Sequence, residues 1–195
     1  IELFSERIAS FGYDDCPGQA CGLEPIEWLG SPKAAQFPLH LISDQPYTKL
    51  HSQLDHAGYS QANKIGGREP LALARADAQA RGLKFGDMVR VFNARGSCLV
   101  ALRISDDQRP GVARLSTGAW FDPSRWQASG PGNIEKHGNP NVLTPDIGAS
   151  RLSQGCAAQT CLVQVERATG ELPQATPYVI PDFALATGTL EASKT

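Results

Sequence analysis

The apolar runs of this chain constrain its fold most: they are short, they alternate, and glycine or proline sits close to most of their ends. FPLHLI (37–42) sets Phe37, Leu39 and Leu41 against His40 and Ile42. MVRVF (88–92), the run 97–104 and the run 161–167, with Cys161, Val163 and Val165 in phase, repeat the pattern. A period of two over such lengths belongs to half-buried strands, because successive side chains point to opposite faces of a sheet. Residues 71–73 and 112–115 are two further short strand candidates. With 19 Gly and 14 Pro in 195 residues, turns are frequent enough to rule out long regular elements. The pattern predicts a mainly β chain with short helices, closing as a small β-barrel whose loops cluster at its mouth. A short Ala-rich helix is expected at 77–81, with Gly82 at the left-handed cap position, and a second at 146–154. Asn93-Ala94-Arg95-Gly96 reads as a tight hairpin turn, since Asn and Gly tolerate positive φ. No internal repeat is present.

Three parts follow. Residues 1–36 carry many breakers and read as an approach segment from a preceding domain. Its opening places Ile1, Leu3, Phe4, Ile8 and Phe11 on one short amphipathic face. Residues 37–170 form the barrel, and 171–195, with repeated prolines, an extended or disordered tail. Ile1 in place of Met is what a piece cut from a longer chain would show. The opening has neither the basic start nor the apolar stretch of a signal peptide, so a compartment, bacterial cytoplasm or periplasm, is not read from it.

A net charge of -2 with 19% charged residues removes the basic face expected of a nucleic-acid binder. No apolar run nears the roughly 18 residues of a membrane-spanning helix. The cysteines are Cys16, Cys21, Cys98, Cys156 and Cys161. Their two close pairs are C-x4-C, not the C-x2-C of persuasive zinc sites. Free thiols are expected and no metal ligand is assigned. His40, His51, His56 and His137 lack the H-E-x-x-H spacing, and no nucleophile elbow, P-loop or dinucleotide fingerprint occurs. No catalytic residue is assigned either.

Three polar stretches remain. Leu50-His51-Ser52-Gln53-Leu54 offers consecutive hydrogen-bonding side chains suited to a phosphate or a base edge. Gly118-Ala119-Trp120-Phe121-Asp122 puts small residues before an aromatic pair, letting the backbone approach a ligand closely. Residues 137–155 combine a rigid Asn-Pro-Asn turn with Ser150, Arg151 and Gln154. Each alone is more simply read as ordinary structure: a solvated loop, a core tryptophan, and turn chemistry with a capping aspartate.

Together, and in this order, the motifs carry more. HSQL (51–54), GREP (67–70), DAQARGLKFGDMVRVFNARG (77–96), PGVARLSTGAWFDP (110–123), GNPNVLTPDIGASRLSQG (138–155) and TCLVQVE (160–166) resemble the C-terminal domain of the dimethyl sulfoxide reductase superfamily. The likeness is greatest to its biotin sulfoxide and trimethylamine N-oxide reductase branch. The resemblance implies a double-psi β-barrel of the aspartate-decarboxylase-like kind. It implies a bis(molybdopterin guanine dinucleotide) molybdenum cofactor shared with upstream domains of the same polypeptide. The parent enzyme would reduce a small-molecule S-oxide or N-oxide, and the metal-ligating Ser would lie upstream, so the fragment alone is expected to be inactive. By motif position the cofactor-facing residues are Ser43, Gln45, His51, Ser52, Gln53, Asn141 and Gln154. Three departures stand out: Ala94 in the hairpin where relatives have Asp, Ala149 and Ser153 in the closing motif, and Gln45 where relatives often have His. Two other readings stay open: a free-standing barrel serving as a ligand or interaction module, and the matching domain of a formate dehydrogenase or nitrate reductase.

Overall fold

In the computed structural model, residues 2–125 and 133–179 are described. Seven strands are present among them: β1 (Leu39–Ile42), β2 (Pro70–Ala74), β3 (Met88–Phe92), β4 (Ser97–Ser105), β5 (Val112–Leu115), β6 (Ile134–Glu135) and β7 (Leu162–Arg167). They form one sheet in the order β2-β5-β1-β7-β3-β4-β6, and a further β2–β4 pairing closes six of them into a barrel. Two pairs, β1–β5 and β2–β4, are parallel, and the remaining pairs of the ring are antiparallel. Parallel pairs inside an otherwise antiparallel ring require crossing connections, as a double-psi barrel has.

Alternation explains the core. Val89 and Val91 of β3, Leu71 and Leu73 of β2, Leu39 and Leu41 of β1, and Val163 and Val165 of β7 all point inward and are buried. Leu102 and Val100 of β4 meet them, and Leu143 and Leu83 close the ends. Fully burying each such side chain contributes about 1.5–3 kcal/mol. The longest strand, β4, pairs with β3 through Ser97 to Ala101 and with β2 through Ala101 to Ser105. β6 pairs with Ser97 and Cys98 on β4's other edge. β6 and β2 therefore share one edge of β4, and the break between them is bridged where Glu69 N–H donates to the His137 carbonyl, 3.0 Å.

The helices are short: α1 (Glu6–Ala9), α2 (Gly58–Asn63) inside the connection 43–68, and α3 (Arg75–Ala80), which ends at Gly82 with φ +64°. The expected helix at 146–154 is absent. Gly148 bridges Cys156, and Ala149 N–H donates to the Gly155 carbonyl at 2.8 Å. Ser150 and Ser153 bond to one another's backbone inside this turn. Such serine–backbone bonds compete with a helix ladder. The turn at 93–96 also differs from expectation in cause. Asn93 and Gly96 are not among the residues with positive φ. Instead the Asn93 side chain accepts from Arg95 N–H, 2.9 Å, and a Cβ on Gly96 would stand 2.6 Å from the Val142 carbonyl oxygen.

The approach segment is pinned at Glu27. Its buried carboxylate takes a two-point bond from Arg95, 2.7 and 3.0 Å, one from Lys33, 2.8 Å, and one from the Leu162 backbone, 2.9 Å. Burial would raise this carboxyl, but these donors outweigh it and hold it down to about 2. Residues 171–179 adopt no regular secondary structure. The five cysteines are free, with Cys98 and Cys161 buried.

Candidate functional site

Two loops meet at one end of the barrel because one residue between them has no side chain. Gly118 sits at φ +95°, and a Cβ there would overlap the carbonyl of His51. The turn that carries His51 is itself unusual. Gln53 N–H closes it onto the Leu50 carbonyl at 2.9 Å, and His51 and Leu54 both have positive φ, +50° and +65°. A non-glycine residue held there costs energy and marks a place where the surroundings dictate the backbone.

Between these loops lies a cavity of about 630 Å³ whose lining includes His51, Ser52, Thr117, Gly118, Trp120 and Asn141. The side chains of His51, Ser52, Thr117 and Asn141 make no hydrogen bond within the described residues, so their donors and acceptors are free for a ligand. Among the described residues, no lysine, arginine or carboxylate lines it. The wall behind is rigid. Trp120 donates its indole N–H to the Ser52 carbonyl, 2.8 Å, and its backbone N–H to Asp55, 3.0 Å. Asn139 donates to the Ala119 carbonyl, 2.9 Å, and its side-chain oxygen accepts from Asn141 N–H, 3.0 Å, which starts the 3-10 turn Pro140–Val142.

Beneath this wall is a closed charge network. Lys49 and Lys64 both bond Asp55 (2.7 and 2.9 Å) and both bond Glu69, and none of these four side chains is more than 3% exposed. Burial would raise Asp55, yet the two ammonium groups and the Tyr178 hydroxyl hold it well below the ordinary carboxylate range. His137, fully buried, has its pKa lowered by burial and by Lys64. Its Nδ1 faces the Trp120 carbonyl, 3.0 Å, so in the neutral ring that nitrogen carries the proton. Glu135 is cradled by the backbone N–H groups of Asp122, His137, Gly138 and Asn139, at 2.6–3.1 Å for the shortest bond of each. Burial nevertheless pushes it up to about 7.

The cavity thus brings together His51, Ser52 and Asn141 of the residues singled out by motif. Gln45 lies elsewhere, in a separate cleft of about 270 Å³ with Arg103, Arg114 and Asp44. Register explains that cleft: Arg103 and Arg114 both face Ala72 from neighbouring strands, so two guanidinium groups flank one small residue. Ser43 gives its backbone N–H and carbonyl to the Gln159 amide, 3.1 and 2.9 Å. Gln53 is exposed. Gln154 turns back on its own loop, donating to the Ser150 carbonyl at 3.2 Å. Sequence reasoning did not assign Thr117, Gly118 or Asn139 as site residues, although the GAWFDP motif passes through the second of them. The network lysines Lys49 and Lys64 were not singled out either, because only folding brings them to Asp55 and Glu69.

The family described as Molydopterin dinucleotide binding domain matches residues 39–162. Trimethylamine-N-oxide reductase 1 of Escherichia coli (strain K12) is 46% identical over 178 residues, 90% of this chain and 21% of that protein. Biotin sulfoxide reductase of Cereibacter sphaeroides is 48% identical over 171 residues, 88% of this chain and 22% of that protein. The chain therefore spans about a fifth of the length of these relatives. Among solved structures, acetylene hydratase from Pelobacter acetylenicus superposes with a TM-score of 0.68 over 86% of this chain and 23% of that one, at 20% identity, and shares the fold. Barrel, motifs and family match agree, and the chain belongs to the molybdopterin dinucleotide-binding domain family.

Proposed function

We propose that this chain is the C-terminal, cofactor-gripping domain of a molybdenum oxidoreductase that reduces S-oxides or N-oxides by oxygen-atom transfer. Its relatives' names, trimethylamine-N-oxide reductase and biotin sulfoxide reductase, support that class. The observation that carries the reading is the cavity lining: unpaired side-chain donors and acceptors on His51, Ser52, Thr117 and Asn141, with no lysine, arginine or carboxylate among the described lining residues. Amide-like pterin and guanine edges need such partners, because an unpaired buried polar group costs about 1–3 kcal/mol. The dinucleotide is then a molybdopterin guanine dinucleotide, one of a pair in the bis form, held jointly with upstream domains. Residues 37–170 supply the grip, and 1–36 and 171–195 are its flanks.

The division of labour follows from the side chains. When bound, the cofactor supplies the redox chemistry. His51, Ser52 and Asn141 orient its polar edges, and Gly118 lets the backbone come close. Trp120 covers one side and excludes water. The remaining motif residues, Ser43, Gln45, Gln53 and Gln154, lie outside this cavity, and their contacts to the cofactor form with the upstream domains in place. The test uses the full-length enzyme. Asn141→Ala is expected to lower bound pterin per chain several-fold, with the melting temperature of the cofactor-free protein unchanged. Full cofactor content in Asn141→Ala and His51→Ala alike would sink the assignment.

A further inference from the structure

We propose that residues 173–178, which follow the barrel, form a wall of the cofactor cavity, and that Tyr178 is a positioning residue acting on Trp120 through Asp55. The proposal rests on the reading that this cavity takes the pterin dinucleotide. The segment lies outside the stretch 39–162 that the family shares, and its own sequence has no strand or helix pattern. Yet it is tied at each step. Arg68 donates to the Pro173 carbonyl, Thr176 N–H donates to Asp122 at 2.6 Å, and Lys136 donates to the Thr176 hydroxyl at 2.8 Å. Pro177 then enters the cavity lining itself.

Tyr178 completes the link. Its hydroxyl donates to Asp55 Oδ2 at 2.7 Å, and the same oxygen accepts the Trp120 backbone N–H at 3.0 Å. Its ring meets Trp120 edge-on at 5.3 Å and His137 at 5.4 Å, 88° apart in plane. His137 Nε2 faces the hydroxyl at 3.2 Å while its Nδ1 holds the Trp120 carbonyl. Trp120 is therefore held at its N–H, its carbonyl and its ring by groups that Tyr178 touches. A segment with no ladder of its own stays there because it satisfies buried donors and acceptors that the barrel leaves open. A flank that only stabilised the fold would not need to reach the cavity. Pro177 does reach it, and Tyr178 fastens to the carboxylate that fixes Trp120.

The test reads the full-length enzyme in two ways. Hydrogen exchange of the Thr176, Tyr178 and Val179 amides is compared between cofactor-loaded protein and the same protein stripped of cofactor. Exchange about tenfold slower in the loaded state is expected if a ligand packed on Pro177 holds the amides on either side of it in place. Tyr178→Phe keeps the ring and removes the hydroxyl. Bound pterin, released by acid and measured by fluorescence, is expected to be lost about tenfold faster than from wild type, while Glu171→Gln, at an exposed residue outside the proposed wall, behaves as wild type. Equal exchange in the two states overturns the wall, and wild-type retention in Tyr178→Phe overturns the positioning role. The exchange comparison uses wild-type protein, so it decides even where a variant fails to fold. Wild-type enzyme that carries no pterin dinucleotide would instead overturn the reading of the cavity.

Discussion

Gly118 and His51 show how much of the site depends on single backbone positions. Gly118 is needed twice, for φ +95° and for the His51 carbonyl against its Cα. A left-handed conformation costs an L-residue about 1–2 kcal/mol, and the overlap with backbone adds to that. Gly118→Ala is therefore expected to destabilise the chain by about 2 kcal/mol or more in urea unfolding and to open the cavity. A loss below about 0.5 kcal/mol would show that the two loops separate freely. His51 carries the complementary burden: a bulky residue at φ +50° whose ring makes no bond within the described residues. Strain kept at a cavity-lining position fits the binding role proposed for this loop.

Among elements, the break between β2 and β6 matters most, because there the barrel swaps apolar packing for charge. Two lysines and two carboxylates balance one another there almost fully out of solvent. Removing one member leaves an uncompensated buried charge, which costs about 3–5 kcal/mol. Asp55→Asn is expected to destabilise by that order in chemical denaturation, and pairing it with Lys49→Met to recover part of the loss. A double variant no better than the single one would mean the charges do not compensate each other. The same carboxylate holds Trp120 and Tyr178, so the single variant should also shed cofactor. On the other side, Glu27 clamps the approach segment to the hairpin after β3 through Arg95. The two elements are distant in sequence and joined by one side-chain pair.

For the whole molecule, two glutamates with opposite shifts shape the pH dependence. Glu27 falls from its ordinary 4.5 to about 2 on folding, so its contribution is present above pH 4.5 and is lost as pH falls towards 2. Glu135 rises from 4.5 to about 7, so its contribution is full below 4.5 and is lost as pH rises towards 7. Melting temperature is expected to fall on both sides of about pH 4.5 from these two groups. Glu27→Gln should flatten the acid arm, and Glu135→Gln the arm between 4.5 and 7. Unchanged slopes in both variants would show that other groups dominate. At the same scale, the chain spans about a fifth of its relatives. The purified chain is expected to show no turnover of S- or N-oxides with a reduced viologen dye. Turnover above the dye-only blank would refute the assignment of the metal ligand to upstream domains.

Local pattern was enough for the strands, since the alternation in 88–92 and 161–167 is a property of neighbours along the chain; 97–104 is instead an apolar run buried on both faces over Ser97 to Leu102. Motif order was enough for the family. The helix expected at 146–154 failed because Ser150 and Ser153 bond the backbone locally, a competition that periodicity does not register. The site divides the same way. His51 and Ser52 announced themselves as a polar run, and Asn141 by its place in a motif. That Thr117 and Gly118 would face them, some 65 residues away along the chain, follows only from the parallel pairing of β5 with β1, which brings the end of β5 to the turn after β1. The partners of Asp55 were beyond sequence reasoning for the same reason. A lone lysine, a lone tyrosine and a tryptophan N–H carry no sign of each other until the barrel excludes water and brings all of them to Asp55. Which segments become strands, and which family they build, is legible along the chain; which polar groups meet is set by the folded barrel, because that depends on distances across it that no local period encodes.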